Sequence, residues 1–381
     1  MKCIKGLIGL FVMVFLVSCE DSNNTSNGNS PTIGPVFIDE NISGEALFSH
    51  EFVPMEGLGP HFNATSCNEC HNVPSIGGSA DDTSDMVFRI GFLADGIFSD
   101  LNGEGGPSAR SHSVIENGFH CDVDNGIGVN TDVNVVSIRS SLSLFGAGIV
   151  DKIPDELIEA EAINKGYGIH GKVNRIQTFS GVYKIGKFGW KAQKAELLTF
   201  TSEAFRNEIG LTNTIFPIDN FKSSLNKIRE CDGFSKSIEL DDKTVKRTSD
   251  FIASLAIKNA GTPDMSSSGF QYFTDAKCHL CHKPSYSVEG EEHFLFLDFL
   301  IHDMGDGLND NFVQGDAKGR DWRTSPLHGL GFRKAYLHDA RTKNLNQAIM
   351  EHRGEANSSM SIYFNFSQEK KDDLINFLQT L

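Results

Sequence analysis

Cys67-Asn68-Glu69-Cys70-His71 and Cys278-His279-Leu280-Cys281-His282 are two copies of one pattern, Cys-x-x-Cys-His, in a chain of 381 residues. Two thiols at this spacing reach the two vinyl groups of one porphyrin, and the adjacent histidine supplies an axial nitrogen to its iron. The chemistry needs all three residues together, so the pattern predicts two covalently bound haems c. Two other readings use the same thiols. A four-thiol zinc site would leave both histidines unexplained and would close a loop of roughly two hundred residues. A thioredoxin-like redox pair wants a strand before it and a helix after it. Here apolar residues precede each motif, Leu58 and Phe62 or Phe270 and Phe273, and loops containing Val73-Pro74 and Lys283-Pro284 follow. That is the pattern of a short helix ending at a haem.

The N-terminus sets the compartment. Lys2 and Lys5 precede an apolar run from Gly6 to Val17, which has the form of a secretory signal and is too short to span a bilayer. Leu16-Val17-Ser18-Cys19 resembles the lipobox of bacterial lipoproteins, in which cleavage before the cysteine frees its thiol for acylation. Residues 1–18 are therefore read as a lipoprotein signal peptide and Cys19 as the lipidation site; an ordinary signal peptide with Cys19 incidental is the alternative. Asp21 to Ser30 contains only Asp, Ser, Asn, Thr and Gly and cannot bury apolar area, so residues 19–40 read as a flexible tether. The expected location is the periplasmic side or the surface of a bacterial cell envelope, with an outer-membrane lipid anchor.

Loss of residues 1–18, which hold two lysines and no acid, moves the formal net charge from −16 to −18. So acidic a chain is unsuited to nucleic acid or to anionic membrane surfaces. It favours a basic partner such as a cationic small cytochrome or cupredoxin donating electrons. Of eight cysteines, Cys3 lies in the signal, and Cys121 and Cys231 remain after the haem motifs and Cys19. An oxidising compartment predicts a disulfide between these two.

Asp242 to Asn259 places Val245, Thr248, Ile252, Leu255 and Ala256 on one helical face, with Gly261-Thr262-Pro263 as a stop. Ser367 can cap a C-terminal helix on which Leu374, Phe377, Leu378 and Leu381 share a face. Such a helix, packed over the haem-bearing one, is what a small cytochrome needs. Residues 77–135, rich in Gly, Asp, Asn and Ser, read as long loops with a few short strands shaping access to the first haem. The domain boundary is placed near residue 235, giving a first haem c domain at 41–235 with a loop-rich insertion and a second at 236–381.

Several further stretches carry a resemblance. Gly57-Leu58-Gly59-Pro60-His61-Phe62-Asn63, Phe188-Gly189-Trp190-Lys191-Ala192, His302-Asp303-Met304-Gly305, Trp322-Arg323-Thr324-Ser325-Pro326-Leu327-His328-Gly329-Leu330 and His338-Asp339 together resemble the di-haem oxidoreductases of the bacterial cytochrome c peroxidase superfamily. The group is that of the peroxidase-like or thiol-oxidoreductase-like proteins. The resemblance runs from about residue 45 to the C-terminus. It implies a mainly α fold of two cytochrome c-like domains, one haem relaying electrons and the other open to a substrate. A calcium ion between the domains, as in related peroxidases, is left open.

In those peroxidases a Met fourteen residues after the His of a His-Asp-Gly turn is the second axial ligand of the C-terminal haem; here that count from His338 reaches His352. Spacing agrees, since Leu345, Ala348, Ile349 and His352 share a helical face. A buried histidine satisfied by a neighbouring carbonyl is the structural alternative. Ala340 stands where the turn usually has Gly. The displaceable His expected sixteen residues after His71 is replaced by Val87, and no histidine lies between His71 and His112. The first haem is therefore either open or closed from the loops, with His112, Glu116 and His120 as candidates. Glu116 would serve as a proton shuttle in peroxide cleavage, or is simply a solvated carboxylate. Trp190 is a candidate for inter-haem electron transfer, or an ordinary core aromatic. Arg320 and Arg323 are candidate partners of haem propionates, or surface ion-pair residues.

Two functions follow. The first is an oxidoreductase taking electrons in at the second haem and reducing an oxidant such as hydrogen peroxide at the first. The second is an electron-transfer cytochrome without a substrate, linked in one variant to iron acquisition.

Overall fold

The C-terminal helix forms where its sequence pattern places it. Ser367 accepts the Lys370 N–H through its hydroxyl, and Leu374, Phe377 and Leu378 of helix Gln368–Thr380 are buried together with Leu381. They face helix Ser268–Asp275, whose Phe270 and Phe273 rings lie 5.6 and 5.9 Å from Phe377. Gly269 permits this crossing: a Cβ there would stand 2.4 Å from the Asp373 carbonyl. Helix Ser268–Asp275 leads directly into the second motif, so the two helices clamp that motif against an apolar cluster of Phe273, Phe296, Leu330 and Tyr363.

These features come from a computed structural model that describes residues 38–39, 41–80, 86–114, 132–178, 180–220, 238–257 and 262–381. Cys19, Glu116, His120, Cys121 and Cys231 lie outside the described residues, and with them the acylation site, two of the distal candidates and the expected disulfide.

Helix Asp242–Ser254 is capped by Asp241 and buries Val245, Thr248 and Ile252 as the periodicity requires. It stops before the Gly261-Thr262-Pro263 signal because Leu255 turns extended and gives its carbonyl to the Gly146 N–H. Helix Ala147–Lys152 then crosses so closely that a Cβ on Gly148 would meet the Ala253 carbonyl at 2.2 Å.

The mainly α expectation is corrected by the strands. Helix accounts for 32% of the residues and strand for 19%, in several small sheets, so the fold is mixed α/β. Within the stretch read as long loops with a few short strands, strand Val87–Ala94 pairs antiparallel with Ile97–Ser99, Ser108–Ala109 and Val135–Arg139. Alternation of Val135, Ser137 and Arg139 inward with Val136 and Ile138 outward is the period of a half-buried strand. A second antiparallel ribbon, Ile301–Asp303 with Asp321–Arg323, pairs His302 directly with Trp322. Directly paired residues share a face, so this ribbon presents an imidazole and an indole side by side.

Candidate functional site

Each Cys-x-x-Cys-His motif folds as a single tight turn. Around the first, the Glu69 carboxylate accepts from Thr65 N, Ser66 N and the Thr65 hydroxyl, which fixes the start of helix Cys67–Cys70. His71 follows, its backbone N–H bonded to the Cys67 carbonyl at 3.2 Å. The loop Val73–Ser79 then folds back, with Gly77 N donating to His71 O at 2.8 Å and Gly78 O set 3.0 Å from His71 Nδ1. A side chain on Gly78 would strike the Val73 carbonyl at 1.9 Å, so the return is open to glycine alone. In the second motif, Cys278–Leu280 is one 3-10 turn, the His282 N–H reaches the Cys278 carbonyl at 2.9 Å, and His282 Nδ1 lies 3.0 Å from Phe296 O.

A carbonyl can only accept, so in both cases Nδ1 carries the proton, and His282 keeps its Nε2 lone pair; a second carbonyl, Leu142 O, also faces the His71 ring. Burial pushes the His71 imidazole down and takes His282 down to about 4, with His352 adding to the shift. Both rings are therefore neutral, the form that binds a metal. Burial also drives the thiols of Cys67 and Cys278 up to about 12. A redox Cys-x-x-Cys site needs the opposite shift, and that reading loses its chemistry here.

The second motif opens on a cavity whose wall includes Cys278, Cys281, His282 and His352. His352 follows helix Leu345–Met350 and donates Nδ1–H to the Ala348 carbonyl at 2.8 Å, which the Glu351 N–H also approaches at 3.3 Å. The bond to a neighbouring carbonyl and the role of metal ligand are thus compatible, because the carbonyl takes one nitrogen and leaves the other.

Arg323 and Arg333 also line this cavity, and both are held down at about 10 by burial. Among the described residues their Nε–H groups have no partner, and no carboxylate pairs with either. Their remaining bonds run to neutral oxygens, Lys187 O, Ser325 Oγ and Pro326 O. Two guanidiniums without a carboxylate partner, Arg323 buried and Arg333 half-buried, beside an apolar cavity with two imidazoles fit a porphyrin carrying two propionates. Arg333 was not singled out by sequence; its only signal was its position five residues before His338. Arg320, by contrast, is exposed and bonds Asp303 and Asp306.

Trp190, Trp322 and His338 form one corner of the same wall. His338 stacks on Trp322 with centroids 3.8 Å apart, and Trp190 meets both edge-on at 6.4 to 6.5 Å. His302 lies nearby, 3.9 Å from Cys281 Sγ, in a buried group with Asp298. It is not free to bind a metal: Nε2 faces Asp298 at 3.1 Å and Nδ1 faces Glu355 at 2.8 Å, and both nitrogens donate. His112 sits away from this cavity, on a short strand paired with His61–Phe62, its ring stacked on Phe62 at 5.7 Å. Phe62 belongs to one of two apolar clusters that Cys67 touches, the other holding Phe48.

The family model described as "Di-haem oxidoreductase, putative peroxidase" matches residues 126–381. The chain belongs to the di-haem oxidoreductase family, as the sequence motifs implied; it is an oxidoreductase whose cofactors are haems. Among solved structures, a MauG-like protein associated with microbial copper homeostasis is 15% identical, over 62% of this chain and 88% of that one, with a TM-score of 0.30. Kuenenia stuttgartiensis hydrazine synthase is 13% identical, over 95% and 100%, with a TM-score of 0.34. No curated protein matches.

Proposed function

We propose that the mature chain is an exported, lipid-anchored di-haem c-type oxidoreductase that reduces a small oxidant such as hydrogen peroxide. The observation that carries this reading is the convergence of Cys278, Cys281, His282, His352, Arg323 and Arg333 on one cavity. Cys278 and Cys281 would hold the second haem by thioethers, with His282 and His352 as its axial ligands and Arg323 and Arg333 on its propionates. Cys67, Cys70 and His71 would hold the first. Bound there, the haems supply one-electron redox chemistry, the second relaying and the first meeting the oxidant.

The chain's own residues divide that labour. His282 and His352, each with Nδ1 committed to a carbonyl, would hold the second haem iron, which suits a relay. His71 is held the same way by Gly78. Residues 41–235 and 236–381 would then be the two haem-bearing halves. Acidity of the exported chain favours a basic electron donor.

Carbon monoxide binding to the fully reduced protein tests the reading. One of two haems should bind it, and hydrogen peroxide should reoxidise the wild type faster than a His71→Ala variant. If neither haem binds carbon monoxide and reoxidation is no faster than for a closed bis-histidine cytochrome, a pure electron-transfer role replaces the enzymatic one.

A further inference from the structure

Lys191 is fully buried, yet its ammonium has no solvent and no role in holding a haem. Its Nζ lies 2.9 Å from Lys318 O, 3.1 Å from Gly319 O, 2.9 Å from Asp321 O and 3.2 Å from Asp310 Oδ1. Four acceptors around one nitrogen require three N–H donors, so the group is the ammonium and not the amine. The same Nζ stands 3.9 Å from the centroid of the Trp322 ring. His338, stacked at 3.8 Å, already covers one face of that indole, so Lys191 occupies the other. The Arg139 guanidinium lies 5.5 Å from the same ring. Asp310 is shared by both cations, and the Asp321 carboxylate pairs with Lys172, so positive charge remains in excess against Trp322. Both indoles donate Nε1–H to a main-chain carbonyl, Trp322 to Leu308 O and Trp190 to Ser140 O, but among the described residues no cation lies over the Trp190 ring.

A cation over an indole face binds the electron-rich neutral ring and opposes removal of an electron from it. We propose that Lys191 makes Trp322 the tryptophan that does not give up an electron, leaving Trp190 as the oxidisable ring of the second site. This rests on the reading of that site as a redox centre. The cage has a simple logic: Trp322 must stay intact because it walls the cavity and stacks on His338, while any electron vacancy settles on Trp190, whose ring lies 6.5 Å away.

The test uses the azide radical on the mature holoprotein at about pH 6, below the value of about 7 to which burial pushes Lys191. Two azide radicals each take one electron and become azide; the indole gains the oxygen of one water, releases two protons and becomes hydroxytryptophan. These are the two tryptophans of the chain, and their contact lets the vacancy equilibrate, so peptide mass spectrometry reads their relative ease of oxidation. Trp190 should carry at least about tenfold more hydroxylation than Trp322, a ratio one neighbouring charge can supply. In Lys191→Met, checked for haem content and melting, the two should come within about threefold. Equal modification in the wild type, or an unchanged ratio in folded Lys191→Met, overturns the proposal. If Lys191→Met does not fold, Trp190→Phe decides: Trp322 must stay at its low level, and a rise to the Trp190 level sinks the idea. Because azide radical bypasses peroxide and the first haem, these outcomes are independent of whether the chain is a peroxidase.

Discussion

The imidazoles of His282 and His352 face one cavity in the same tautomer, each donating its Nδ1 proton to a main-chain carbonyl, Phe296 O at 3.0 Å and Ala348 O at 2.8 Å. Among the described residues neither ring spends Nε2 on a hydrogen-bond partner. A histidine that served only to satisfy a core would have no reason to meet a second one prepared in the same way.

Replacing His352 by Ala is expected to convert one of the two haems from low to high spin and to open it to carbon monoxide. His352→Met should keep six-coordination and raise the potential of that haem by on the order of 100 mV, within the span of about 0.8 V that axial ligation commands. Absorption and spectroelectrochemistry read both. A spectrum unaffected by His352→Ala would remove His352 from the ligand set.

Covalent attachment gives a second expectation. The wild type should keep two haems per chain through acid–acetone extraction, and Cys67→Ser or Cys278→Ser should lose or loosen one. Each variant should also melt earlier, because the cofactor fills the middle of a small core and its loss leaves a large void. Extraction of all haem from the wild type would end the c-type assignment.

Arg323→Gln and Arg333→Gln should each lower the potential of the second haem, since a removed positive charge favours the ferric state. Shifts on the order of tens of millivolts are expected, about 60 mV being one tenfold change for one electron. Arg320→Gln, on the exposed Asp303 and Asp306 pairs, should leave that potential in place.

Glu355 predicts an acid-side dependence of stability. Burial acts to raise its carboxyl, but hydrogen bonds from His302, His170 N and Gly171 N outweigh it and hold the group at about 2. A depressed carboxyl stabilises the fold above its unfolded value near 4.3, and that contribution is lost as the pH falls towards 2. Glu355→Gln should cost about 2–3 kcal/mol at neutral pH and flatten the acid limb between those values. Urea unfolding at several pH values checks it; parallel acid limbs in wild type and variant would count against the network.

Much of the site was legible because its chemistry is local. Cys-x-x-Cys-His is one turn of chain, and His352 lies just past the end of the short helix that carries Leu345, Ala348 and Ile349. The mixed fold was harder to read, although Val135 to Arg139 alternates openly, because its partners Val87–Ala94 and Ser108–Ala109 sit in a stretch rich in turn residues. Strand pairing is a property of two segments, and neither alone declares it.

By itself the sequence determined the two Cys-x-x-Cys-His turns, the capped C-terminal helix and the short helix that leads to His352, since each depends on residues within a turn or two of one another. Tertiary structure alone decided which basic groups meet the cavity. Arg323 is drawn inside by the ribbon pairing Ile301–Asp303 with Asp321–Arg323, while Arg320, three residues earlier, is left at the surface with Asp303 and Asp306. It decided equally that Lys191 and His338 cover opposite faces of Trp322. Desolvation and charge compensation depend on everything within a few ångströms in space, and a one-dimensional pattern does not contain that neighbourhood.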